Sequence, residues 1–201
     1  MSEFFSFVQL GFHHIVAVAA VDHILFLLAL AAIYRGGDWR DGLWVISAFT
    51  VGHSITLALA AGGALRIPSH LTEFLIPLTI VAAGVENIVV RSRSQAPLRR
   101  RYRPVFAGAF GLVHGAGFAD YLQRLFSGSI LVPLFGFNLG IELGQVLVLA
   151  AAGGVLLGLD RLLEYFRAPD AVWPAYRLRV IGVSLIVVAA AAQMAAARRP
   201  W

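Results

Sequence analysis

Cysteine is absent from this chain, and so is lysine: all sixteen basic residues are arginine. Without thiols there is no disulfide framework and no thiolate metal site. Thioether sulfur is confined to Met1 and Met194. Charge is scarce as well, at 13% of residues against about 25% in an average soluble domain. What fills the 201 residues is apolar: 59% are hydrophobic, and the mean hydropathy is +0.80. A water-soluble fold of this size has no surface to carry that composition. A soluble enzyme, a DNA-binding domain and a disordered regulator are therefore excluded. The net charge of +5 and pI near 10.4 are read as arginines that orient loops, with no nucleic acid as partner.

The composition fits an all-α, polytopic bundle of membrane-spanning helices, each needing about 20 apolar residues. Apolar runs bounded by charge, Gly or Pro give about six spans. They cover 12–34, 42–65, 72–90, 105–126, 130–159 and 178–197. The fourth, with Gly108, Gly111, Gly115 and Gly117, is expected to be short or bent. Pro133 is expected to start or kink the fifth. The first eleven residues lack a basic region, so the first span is expected to stay in the mature protein.

Twelve of the sixteen arginines fall after spans one, three and five, among them Arg35, Arg40, Arg91, Arg93, Arg99, Arg100, Arg101 and Arg103. Positive charge stays in the cytoplasm, so both termini are expected on the opposite side. A repeat is also expected, because Phe49-Thr-Val-Gly52 matches Phe137-Asn-Leu-Gly140 at an offset of 88 residues. Units 12–90 and 105–197 would then form a 3+3 inverted repeat joined by a basic cytoplasmic loop, 91–104.

Polar groups inside apolar spans cost at least about 2.5 kcal/mol when charged, and persist only with partners or a task. Span one carries Asp22 and His23, span two His53, span three Glu86 and Asn87, span four His114, and span five Asn138, Glu142 and Gln145. His14 lies near the start of span one and Asp120 near the end of span four. Imidazole, carboxylate and carboxamide suit borderline divalent metals such as Ni, Co, Zn or Fe(II). On a helix, Asn138, Glu142 and Gln145 fall within about 60° of one another, with Gly136, Gly140 and Gly144 nearly opposite. Ser47, Thr50, His53 and Ser54 share an arc of about 120°. His14 and His23 are nine residues apart, which puts them on opposite faces of a straight helix. Both reach one site only if the helix starts after His14, bends, or runs beside a loop that carries His14.

The expected metal ligands are His14, Asp22, His23, His53, His114 and Glu142, with Glu142 facing span one or four. Glu86, Asp120, Asn138 and Gln145 would line the path. Asn87 reads as a helix–helix hydrogen-bond partner, and His13 and His70 as interfacial groups meeting water.

Five stretches together resemble the HupE/UreJ family: Gly11-Phe-His-His-Ile15, Val21-Asp-His-Ile-Leu-Phe-Leu-Leu28, Phe49-Thr-Val-Gly-His-Ser-Ile-Thr56, Gly111-Leu-Val-His-Gly-Ala-Gly-Phe118 and Phe137-Asn-Leu-Gly-Ile-Glu-Leu-Gly-Gln145. The resemblance implies a bacterial inner-membrane nickel or nickel/cobalt permease. It carries the family's first-helix His and Asp-His pattern onto His14, Asp22 and His23, and the later His-Gly and Glu patterns onto His114 and Glu142. The expected partners are the lipid bilayer and the metal ion, and the lipid-facing surface would allow a homo-oligomer. No GxxxxGK[ST] motif is present, so energy would come from a gradient, a partner or capture inside. The rival reading is a membrane metalloenzyme holding a fixed metal on the same residues, although neither HExxH nor GxSxG occurs. A third is a proton- or anion-handling bundle without metal.

Overall fold

The computed structural model describes residues 3–18, 20–34, 38–89, 97–125, 130–167 and 172–200, with side chains at all of these except 97–101 and 119–125. Among them every regular element is helical: α1 (Glu3–Val16), α2 (Val21–Ala32), α3 (Trp39–Ala61), α4 (Ser69–Val89), α5 (Pro97–Leu125), α6 (Leu131–Tyr165) and α7 (Ala175–Ala197). The protein is a helical membrane bundle. By length and apolarity α3, α4, α6 and α7 can each cross a bilayer, and α1 with α2 make one further span broken by a bend of 70°. Helix α5, headed by arginines and diluted by glycine and His114, is not apolar enough by the same measure. It lies along α3 instead. Outward faces carry Val51, Ile55 and Leu59 on α3, and Leu143 and Leu147 on α6. That is the apolar exterior a lipid-facing protein requires.

Several expected boundaries move. Span one is neither straight nor confined to 12–34, since its first helix starts at Glu3 and ends at Val16. The fourth span is a helix of 29 residues, not a short one. It begins at Pro97, so the second half of the supposed loop 91–104 is helical. Pro133 stands in the first turn of α6, where its missing N–H costs nothing.

Glycine sets the closest approaches. A Cβ on Gly11 would fall on the carbonyl oxygen of Phe137, and one on Gly140 on that of Val8, so α1 and α6 pack backbone to backbone. Gly136 and Gly144 continue the seam against Phe4 and Ile15. The glycine stripe of α6 is thus its packing face toward α1. Helices α3 and α5 meet in the same way: Gly52 abuts the Gly108 carbonyl, and Gly111 the Phe49 carbonyl. Contacts advance together along each pair, Gly136–Phe4 to Gly144–Ile15 and Gly108–Ala48 to Gly115–His53, so both pairs are parallel. The pair α4/α7 is antiparallel, with Gly84 on Val188 while Arg177 reaches back to Asn87.

Two buried arginines close helix ends at one end of the bundle. Arg179, 2% exposed, donates to the carbonyls of Ala32 and Tyr34 at the end of α2 and pairs with Asp160 at 2.7 Å. Arg177 donates to the carbonyls of Asn87 and Ile88 at the end of α4. The last carbonyls of a helix have no intrahelical partner, and at membrane depth water cannot supply one.

Candidate metal centre

The break between α1 and α2 decides where the histidines go. His14 lies in the last turn of α1 and His23 in the first turn of α2, and the 70° bend turns the two toward each other. Their rings are 4.6 Å apart by centroid. His53, fully buried on α3, completes a trio in which one ligand atom from each imidazole lies within 4.8 Å of the others. His114 of α5 stands beside it, 5.4 Å from His23. Four imidazoles from four helices therefore share one buried region.

Proton counting fixes two of the tautomers. Asp22 Oδ1 accepts both the backbone N–H of His23, at 2.9 Å, and its Nδ1–H, at 3.1 Å. That leaves the His23 Nε2 lone pair free, and the atom is buried without a partner. On the other side Thr79 gives its single hydroxyl proton to the Ile76 carbonyl at 2.7 Å. Toward His114 Nε2, 3.1 Å away, it can then only accept. His114 is thereby the Nε2–H tautomer, with a free Nδ1 that is also buried and unpartnered. His14 Nε2 and both nitrogens of His53 are in the same condition. An unsatisfied buried polar atom costs about 1–3 kcal/mol, and four imidazoles, each with one lone pair to offer, make a site shaped for an electrophile. A carboxylate that orients a histidine through Nδ1 while Nε2 faces the centre is a common outer-shell arrangement around metals.

The other expected residues divide. Glu142 is not in this cluster: its carboxylate accepts from Ser47 Oγ at 2.5 Å, on α3. The expectation that it faces span one or four fails for a packing reason. The glycine face of α6 is occupied by α1, so the opposite polar stripe turns to α3. Gln145 follows it, accepting from Thr50 at 2.9 Å. Asn138 Oδ1 is buried and unpartnered. Glu86 lies apart from the histidines, paired with Arg103 at 3.0 Å and accepting from Tyr102 at 2.7 Å. Asn87 donates to the Ala29 carbonyl at 2.6 Å and accepts from Arg103, which is the helix–helix role expected of it. Asp120 falls among the side chains outside the described set. Nothing in the spacing of residues pointed to Thr79, whose role depends on the α4–α5 contact. A cavity of about 520 Å³ lies away from the histidines, against Arg179 and Asp160.

A family model described as HupE / UreJ protein matches residues 1–198, nearly the whole chain. The chain belongs to the HupE/UreJ family. Comparison with curated proteins and with solved structures gives no match in either case. The HupE/UreJ membership and the histidine trio together associate this membrane protein with nickel or cobalt handling, and the family is one of transport and accessory proteins, not of enzymes.

Proposed function

We propose that this protein is an inner-membrane permease that takes up a divalent transition metal, nickel or cobalt, through a centre formed by His14, His23, His53 and His114 with Asp22 behind His23. The observation that carries this reading is the set of unpartnered imidazole nitrogens converging from α1, α2, α3 and α5. Imidazoles replace water ligands on such an ion, and the Asp22 carboxylate offsets part of its charge in a low-dielectric interior. The arginine distribution supports a topology with both termini in the periplasm and entry of the ion from that face. Glu142 and Gln145 lie where α6 meets α3, and with Asn138 and Glu86 they serve as polar groups of the path and not as ligands.

The test is metal titration of the purified protein with Ni²⁺, Co²⁺ and Zn²⁺, followed by uptake into proteoliposomes. Saturable binding with exchange, and uptake lost in His23→Ala and His53→Ala proteins that still insert, is the expected result. A tightly held stoichiometric metal that does not exchange would instead favour the fixed-metal enzyme. Absence of binding by the wild type would end the reading.

A further inference from the structure

The two backbone-to-backbone seams are copies of each other. Gly11 abuts the Phe137 oxygen and the Ile141 nitrogen, while Gly111 abuts the Phe49 oxygen and the His53 nitrogen. Gly140 abuts the Val8 oxygen and the Phe12 nitrogen, while Gly52 abuts the Gly108 oxygen and the Leu112 nitrogen. A single rule converts each contact into the other: add 100 to a residue of α1 to reach α5, and 88 to a residue of α3 to reach α6. The rule also carries His14 onto His114. Because α1 is parallel to α6 and α3 to α5, its direction depends on how α3 meets α6. Gly42 touches Leu149 while Ser47 bonds Glu142, so those two run oppositely. Helix α1 is therefore antiparallel to its counterpart α5, and the axis that exchanges them lies across the helices, in the membrane plane.

Aromatic rings obey the same relation. His14 is flanked by Phe137 at 5.7 Å and Phe118 at 4.1 Å, and His114 by Phe49 at 5.1 Å and Phe26 at 5.4 Å. Each flanking pair is in contact with itself: Phe118 and Phe137 stack at 5.0 Å, and Phe26 and Phe49 meet at 4.8 Å with their rings tilted by 35°. Phe118 stands one turn after His114 on α5, whereas Phe49 stands one turn before His53 on α3. Helices α3 and α5 run the same way, so the two pairs lie on opposite sides of the histidine layer. Beyond the Phe26–Phe49 pair, Phe110 touches Phe26 and opens onto a cavity of about 270 Å³ that contains Glu86 and Arg103. The relation is not exact in every side chain: His53 answers to Ile141. By count the partner of Phe118 is Val18, in the break between α1 and α2, and Phe26 of α2 takes its position instead.

We propose that the chain is an inverted repeat whose axis passes through the histidine layer, and that Phe118–Phe137 and Phe26–Phe49 are its two gates, one toward each face of the membrane. The structure is the closed form, with both gates shut on the centre. The Phe118–Phe137 gate faces the side toward which α3 and α5 run, the periplasm in the proposed topology, and the Phe26–Phe49 gate faces the cytoplasm. This deepens the permease reading and rests on it: an ion passes when one pair parts while the other stays in contact.

The absence of natural cysteine makes the test direct. His53→Cys places the only thiol of the protein in the layer between the gates, and a membrane-impermeant cationic methanethiosulfonate is applied from either face of sealed vesicles. The thiol is expected to be protected from both faces in the parent. Adding Phe118→Ala should give labelling from the periplasmic face only, and adding Phe49→Ala from the cytoplasmic face only. Phe118→Leu and Phe49→Leu, which keep a bulky apolar group, serve where the alanine proteins fail to insert. Labelling from the same face in both variants, or from neither face in either, overturns the gate assignment. Metal titration of the wild type is read separately, so loss of the permease reading is told apart from loss of the gates.

Discussion

Asp22→Asn isolates the contribution of a residue that need not touch the metal at all. In the native protein one carboxylate oxygen holds His23 through two hydrogen bonds, at 2.9 Å from the backbone nitrogen and 3.1 Å from Nδ1. The asparagine oxygen can still accept both, so the ring stays where it is. What is lost is the negative charge that compensates the ion. Loss of such an outer-shell carboxylate lowers metal affinity by roughly 10- to 100-fold, or about 1.4–2.7 kcal/mol. Asp22→Ala also frees the ring and unsatisfies the first turn of α2, so it should fall at or beyond the upper end of that range. The assay is competition titration with Ni²⁺ in detergent, alongside the elution profile of each variant to verify folding. Glu142→Gln is the control: the residue is bonded to Ser47 and not to an imidazole, and affinity should stay within about threefold of wild type. Equal losses in Asp22→Asn and Glu142→Gln would refute the reasoning, because the two carboxylates would then share one site after all.

Thr79→Val should weaken binding by about tenfold, since His114 would no longer be held with Nδ1 toward the centre; a titration equal to wild type would return His114 to a packing role. Gly140→Leu should lower the thermal stability of the detergent-solubilised protein by at least about 1–3 kcal/mol, whereas Gly153→Ala, whose Cβ meets nothing within 4 Å, should not. Reporter fusions after Arg100 should report a cytoplasmic position, and a periplasmic signal there would reverse the topology and exchange the two gates.

The residues that were legible from sequence are those whose chemistry conflicts with an apolar surrounding. His23, His53, His114 and Asp22 stand out in runs of Leu, Ala and Val, and each is found at the centre or directly behind it. His14 was harder, because its place depends on a break at residues 17–20. The described part of that stretch, Ala17, Val18 and Ala20, offers neither Gly nor Pro to signal one. The break follows from tertiary demands. Gly11 fixes α1 against α6, while α2 must reach Arg179 and Asn87 through Ala32 and Ala29. No straight helix satisfies both.

Glu142 shows the converse limit. A helical wheel places it with Asn138 and Gln145 and opposite three glycines, and that much is found. What the stripe faces is a property of neighbours, and the neighbours are set by pairs that cross between the halves of the chain, α1 with α6 and α3 with α5. Loop lengths and hydropathy carry no record of such pairing. The glycines do, since a position where a Cβ would meet a carbonyl oxygen can be filled only by glycine. Gly11 and Gly111 each stand three residues before a histidine of the centre. The residue that brings the helices together and the one that offers a ligand are thus adjacent turns of one motif. The seam explains that spacing, because a ligand nitrogen reaches the shared layer when the backbone beneath it lies against its partner.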